Sequence, residues 1–129
     1  KRGVLPESGG TWYLPRMLGW ARASELIFTG RTLTADQSLE IGLVNKVVPD
    51  AEVMGVARTL ALEIAANAPL ALKAIKAVIK ATMPLDVKDG YALMRSGAIP
   101  AYTQMIKSED ALEGPRAFAE KRKPAWKGR

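Results

Sequence analysis

Apolar residues recur at three- and four-residue intervals through the second part of the chain and much less regularly through the first. Over residues 51–66, Val53, Val56, Ala57, Leu60, Ala61 and Ile64 fall on one helical face. After the Asn67-Ala68-Pro69 interruption the pattern resumes over 70–82. Leu72, Ile75, Val78 and Ile79 lie on one side there, and Lys73, Lys76 and Lys80 on another. Pro69 suits a first helical turn, where its missing N–H costs little. A helical stretch over 85–107 carries Gly90, Gly97 and Pro100, so a bend is expected near Pro100. Ser108 followed by Glu109-Asp110 predicts a helix start, a hydroxyl cap with acids at the positive end of the dipole, and the helix should run to about Lys121.

The first 50 residues read differently. Residues 1–10 form a loop, Thr11–Leu18 a short helix weakened by Pro15, and 20–28 a second helix closed by Thr29-Gly30. Thr34-Ala-Asp-Gln37 is a capping box opening a helix that Gly42 stops. Residues 43–48 are β-branched and read as a strand or extended segment ended by Pro49, with Asp50 a candidate N-cap. The sum is about six or seven helices and one short strand. Residues 1–48 have little amphipathic pattern of their own and need something else to cover them.

The chain has 129 residues, 48% of them hydrophobic and 25% charged, which suits one globular domain. No apolar run is long enough to span a bilayer, and the opening residues have no signal-peptide pattern. A cytoplasmic, membrane-free protein is the expectation. Lys1 is no initiating Met, so the chain is expected to be a piece of a longer one. With neither Cys nor His, thiolate chemistry, a Ser-His-Asp triad and Cys or His metal sites are excluded within these residues. Acid–base work falls to Asp, Glu, Lys or Tyr. The net charge of +6 is concentrated at the end. Arg116, Lys121, Arg122, Lys123, Lys127 and Arg129 face one acid, Glu120, over residues 114–129. Such a tail fits an anionic partner or a solvated terminus.

Several segments resemble, in order and spacing, the enoyl-CoA hydratase/isomerase (crotonase) family. They are Gly3-Val-Leu-Pro6-Glu7-Ser-Gly9-Gly10-Thr11 with Leu14-Pro15-Arg16 and Gly19, then Thr29-Gly30-Arg31, and Gly42-Leu-Val-Asn-Lys-Val-Val-Pro49. Ala65, Asn67, Pro69-Leu-Ala71 and Lys76 follow, and the run closes on Ser108-Glu-Asp110, Glu113-Gly114 and Ala117-Phe-Ala-Glu-Lys-Arg-Lys-Pro124. Pro115 departs from the family, where an ordinary helix former is usual. The resemblance implies an α/β fold, a spiral of ββα units, of which this chain is the mainly helical C-terminal part. Residues 1–50 would end the spiral and carry an acyl-pocket loop. Residues 51–129 would form a helical oligomerisation region, assembling a trimer or dimer of trimers beside the N-terminal half of the same protein.

The same resemblance implies an enzyme acting on an acyl-CoA thioester, either adding water to a C=C bond or shifting it. Two backbone N–H groups, expected in the preceding half, would hold the thioester oxygen as it becomes an enolate. Glu7 is the candidate proton shuttle, and its presence leans the reading towards isomerase chemistry. Gly9 and Gly10 are expected to turn the chain beside the acyl group. Trp12, with Tyr13, would wall that pocket or else be buried in the core or a subunit interface. Phe118 and Lys121 match an aromatic and a lysine that meet CoA bound to a neighbouring subunit. No metal or redox cofactor is implied, and CoA enters as part of the substrate. Two other readings stand beside this one: a non-catalytic or fragmentary family subunit, and a basic helical nucleic-acid-binding module. Against the last, aromatics are few and not interleaved with the basic residues.

Overall fold

In the computed structural model, residues 3–6 and 9–129 are described. They form eight α-helices and one short 3-10 turn, with no strand among the described residues. The chain divides into two compact units, Lys1–Val53 and Met54–Arg129.

In the first unit, helix α1 (Gly10–Leu18) packs against helix α2 (Trp20–Thr29). Helix α1 starts from Gly9, which adopts φ 80 and whose carbonyl accepts from the amides of Trp12 and Tyr13 at 2.9 and 2.8 Å. Pro15 lies inside α1 without breaking it. What it removes is the amide that would meet the carbonyl of Thr11, an exposed residue where water can substitute. Helix α2 closes at Gly30, as its sequence predicts. Helix α3 (Ala35–Glu40) has the full capping box. The Gln37 amide donates to Thr34 Oγ1 at 3.2 Å, and the Thr34 amide donates to Gln37 Oε1 at 3.0 Å.

The strand expected over 43–48 does not form. The Leu43 and Val44 amides both donate to the Ser38 carbonyl, at 2.8 and 3.3 Å, and the segment continues as irregular backbone. A β-branched run without a neighbouring strand has nothing to pair with. The unit also leaves large apolar side chains outside. Trp20 and Phe28 are 76% and 78% exposed, and the fully buried residue here is Ala23.

Asp50 does not cap the next helix. It opens a 3-10 turn (Asp50–Glu52) behind Pro49, which runs into helix α4 (Val53–Ala65), and no side chain caps that turn. The apolar face of α4 is real but uncovered, since none of its residues is buried. Helix α5 (Pro69–Thr82) is the centre of the second unit, touching helix α6 (Val87–Arg95) and helix α7 (Pro100–Ile106). Its buried positions are Leu70 and Ala74, followed by half-buried Ala77, Val78 and Ala81, while Ile75 and Ile79 stay exposed. Small residues allow helices to approach closely, so Ala74 is buried while Leu72 and Val78 of the expected apolar side are only half-buried.

The stretch expected to bend near Pro100 is instead two helices. Gly97 adopts φ 80, which ends the first cleanly. Ile99 is extended (φ −108, ψ 95), as the residue before a proline tends to be, and Pro100 begins α7. Helix α8 (Glu109–Ala119) starts where its cap predicts, with the Ala111 amide donating to Ser108 Oγ at 3.1 Å. Pro115 is accommodated inside it. The tail then turns back along the unit. Trp126 Nε1 donates to the Ala66 carbonyl at 3.0 Å, and the ring lies where a side chain on Gly114 would meet it at 3.5 Å.

Candidate functional site

The residues singled out by sequence fall into two groups, one in each compact unit. Gly9, Gly10 and Trp12 come together at the start of α1, and Phe118 and Lys121 at the end of α8. Glu7, the expected proton shuttle, lies outside the described residues.

At the α1 end the chain is tightly turned. A Cβ on Gly10 would stand 2.8 Å from Pro6 Cβ, and one on Gly9 3.0 Å from the Tyr13 ring. The Trp12 and Tyr13 rings meet edge to face at 4.8 Å between centroids, both about half exposed. Arg16 stands out in the sequence only as the last residue of the Leu14-Pro15-Arg16 motif, yet it organises this end. Its guanidinium sits 4.1 Å over the Trp12 ring, and Nη1 donates to the Trp12 carbonyl at 2.9 Å. An i, i+4 aromatic–arginine pair in a helix is the signal that could have found it. An open groove of about 450 Å³ runs nearby, bounded by Pro6, Leu14, Leu26, Ile27, Leu33 and Leu43. Neither glycine nor Trp12 lines it. Arg31 at its edge is paired with Glu25 at 2.8 Å.

The α8 end is built from charge. The helix closes with two crossed bonds, Arg122 amide to Ala117 carbonyl (3.0 Å) and Lys121 amide to Phe118 carbonyl (3.2 Å). This is a Schellman ending, whose left-handed position usually holds glycine. Here Lys121 holds it, with φ 52, the one positive φ outside glycine among the described residues. That conformation costs a side-chain-bearing residue about 1–2 kcal/mol. Arg122 supports the turn. Its Nη1 and Nη2 grip the Glu113 carboxylate at 2.6 and 2.9 Å, its Nε donates to Glu120 Oε2 at 2.6 Å, and Nη1 also reaches the Lys123 carbonyl at 3.2 Å. The Ala125 amide donates to Glu113 Oε1 at 2.7 Å. The Arg122 hydrogen bonds first, and the Ala125 amide second, hold the Glu113 carboxyl down to about 2. Arg122 is correspondingly pushed up. Glu120 is lowered by hydrogen bonds from Arg122 and then Arg116.

Further along, Asp110, only 4% exposed, accepts from the Lys127 and Gly128 amides at 2.7 and 2.9 Å. The Glu109 amide donates to the Arg129 carbonyl at 2.7 Å, and its carboxylate pairs with Lys127 Nζ and Arg129 Nε. Those contacts, the Lys127 hydrogen bond foremost, lower the Glu109 carboxyl. The basic tail is therefore largely neutralised from within. Arg116, Arg122, Lys127 and Arg129 are ion-paired, whereas Lys121 and Lys123 make no ion pair or side-chain hydrogen bond among the described residues. Phe118 stands 87% exposed three residues before Lys121. No cluster of three metal-binding side chains occurs among the described residues, and no helix there is long and apolar enough to cross a membrane.

A family model described as enoyl-CoA hydratase/isomerase matches residues 1–129, and the chain belongs to that family. It is 47% identical over all its 129 residues to a carnitinyl-CoA dehydratase from Salmonella paratyphi A, of which it covers 49%. Among solved structures, an enoyl-CoA hydratase from Bacillus anthracis superposes with a TM-score of 0.87 at 39% identity, over 98% of this chain and 48% of that one. One from Mycobacterium tuberculosis gives 0.86 at 36% identity, over 99% and 49%. The fold is the mainly helical C-terminal part of the crotonase fold, and the chain spans about half the length of the relatives it matches.

Proposed function

We propose that these residues are the C-terminal half of an enzyme acting on acyl-CoA thioesters, interconverting a 3-hydroxyacyl thioester and its 2-enoyl product by loss or gain of water. The observation that carries this reading is the identity of 47% to a carnitinyl-CoA dehydratase across every residue of the chain. Isomerase chemistry, towards which Glu7 leans, is the second reading, and the dehydratase relative and hydratase neighbours favour the first. Glu7 retains a role as the carboxylate that takes a proton from carbon next to the thioester, or returns it. The preceding half would supply the two amides that stabilise the enolate, a contribution of about 3 kcal/mol for each such donor. Phe118 and Lys121 at the end of α8 would meet the CoA moiety, Lys121 as a point charge for phosphate. The uncovered faces of α4 and of the first unit fit burial against that half and against other copies of the protein, in a trimer or dimer of trimers. The enzyme would need no metal or redox cofactor and would work in the cytoplasm. The internal pairing of the tail's cations argues against a nucleic-acid module, which needs them free for phosphate.

The test is the intact gene product, assayed for hydration of a 2-enoyl-CoA by loss of the conjugated thioester's ultraviolet absorbance. Replacing Glu7 with Gln is expected to lower kcat by roughly 10²–10⁴-fold, the range for a general acid–base group. Full hydratase activity in that variant would remove Glu7 from the mechanism. Absence of any turnover on acyl-CoA substrates in the parent would overturn the reading itself.

A further inference from the structure

We propose that Glu113 and Arg122 are positioning residues for Lys121, holding it in the one backbone conformation that presents its ammonium to the phosphates of a CoA thioester. This inference rests on the reading of Lys121 given above. Lysine is a poor choice for a left-handed helix ending, where glycine has no steric cost. Something other than local preference must hold φ at 52. Arg122 is the next residue, and it is fixed twice. Its amide is bound to the Ala117 carbonyl, and its guanidinium is locked on two carboxylates, one from the body of α8 and one from the helix cap. Glu113 holds the far side of the same loop through the Ala125 amide. With both 122 and 125 tied to Glu113, the reversal at 120–123 has little freedom.

The division of labour between neighbours supports this. Arg122 uses all three of its side-chain nitrogens inside the protein. The Lys121 side chain makes no hydrogen bond or ion pair among the described residues, and Phe118 beside it is exposed. A planar fork is suited to rigid bidentate bonding and a flexible ammonium to a phosphate. Moreover, Glu113 and Arg122 lie nine residues apart across the end of a helix, beyond the i, i+4 reach of a surface pair within one helix.

The experiment compares, in the intact protein, kcat/KM for an enoyl-CoA with that for the same acyl group on pantetheine, which lacks the nucleotide phosphates. The ratio of the two reports the phosphate contact and divides out general damage to the active site. Lys121→Ala is expected to lower this ratio about tenfold, the loss of one charge-assisted hydrogen bond. Arg122→Ala and Glu113→Gln are each expected to lower it about three- to tenfold, with the change in KM rather than kcat, and to add less than about twofold in the Lys121→Ala background, because groups that act through one another are not additive. Arg122→Lys should fail to restore the ratio, since it keeps the charge and loses the fork. Full additivity with Lys121→Ala, or equal losses on both thioesters, would make the pair merely structural and overturn the proposal while leaving Lys121 in place. An unchanged ratio in Lys121→Ala would overturn the phosphate reading of Lys121 and this proposal with it. Trp126 fluorescence in each variant records whether the tail has stayed docked, and a ratio that falls only where Trp126 is released also counts against positioning.

Discussion

The two ends that carry the candidate residues are held in opposite ways. At the start of α1 the N-cap is Gly9, which has no side chain to cap the helix, and Arg16 is laid over Trp12. At the end of α8 the backbone takes a conformation its own residue disfavours, and the acids Glu109, Asp110, Glu113 and Glu120 tie the following tail in place. One end is shaped by what is missing from it, a Cβ, and the other by what is added to it, charge. The first leaves its aromatics, Trp12 and Tyr13, about half exposed. The second is finished by the chain itself, so its geometry should survive changes elsewhere and respond sharply to changes in the tail.

The largest effect should come from removing the most deeply placed of those acids. Asp110 is buried and satisfies two backbone amides at once. Asp110→Ala leaves the Lys127 and Gly128 amides without partners and should cost about 3 kcal/mol in chemical unfolding of the intact protein, at two lost bonds of roughly 1–2 kcal/mol each. A cost within about 0.5 kcal/mol of zero, the range of ordinary surface changes, would mean the tail is not anchored there.

A smaller pair of substitutions tests the contrast directly, because it exchanges the two left-handed residues' chemistries. Gly9→Ala places a Cβ at φ 80 and 3.0 Å from the Tyr13 ring, and should destabilise by about 2 kcal/mol. Lys121→Gly relieves an exposed left-handed side chain, and should stabilise by up to about 1 kcal/mol. Thermal unfolding shifts of opposite sign would sharpen the comparison. A loss of stability in Lys121→Gly would show that the lysine stem packs against something in the whole assembly.

Much of the local framework is legible in the amino-acid sequence. The Thr34–Gln37 box, the Ser108 cap and Pro69 at a helix start depend on residues within one turn of each other, and each forms as expected. What is not legible depends on partners. The β-branched run at 43–48 reads as a strand but has no strand beside it. On α5, Ile75 and Ile79 of the expected apolar side are exposed while Leu72 and Val78 are half-buried, and Ala74 is buried, because burial is decided by the helices that approach and not by hydropathy alone. Gly97 and Pro100 both read as weak points, yet together they make a break rather than a bend, since Ile99 between them must be extended. The Phe118 and Lys121 positions follow from resemblance, while the Glu113–Arg122 grip behind them has no spacing signature. Glu7 follows from resemblance too, and lies outside the described residues.

The subtlest test concerns pH. Glu113 has an ordinary value of 4.5 and is held at about 2 in the docked tail. A depressed carboxyl contributes its full stabilisation above the ordinary value, and that contribution is lost as pH falls towards the folded one. Above about pH 5 the docked tail should therefore be insensitive to this group. Between 4.5 and 2 the released tail takes up a proton that the docked tail does not, and release becomes steadily more favourable. Glu109 and Glu120 are lowered too and act in the same direction, while Arg122 stays charged throughout. With Trp12 and Trp20 replaced by Phe, Trp126 emission should shift to the red over that window, as its indole leaves the Ala66 carbonyl. Glu113→Gln should begin with a looser tail at neutral pH and show a shallower titration. Superimposable curves for parent and variant would mean that Asp110 and Trp126 hold the tail unaided, and that the charge-built end of α8 is no more self-sufficient than the glycine-built start of α1.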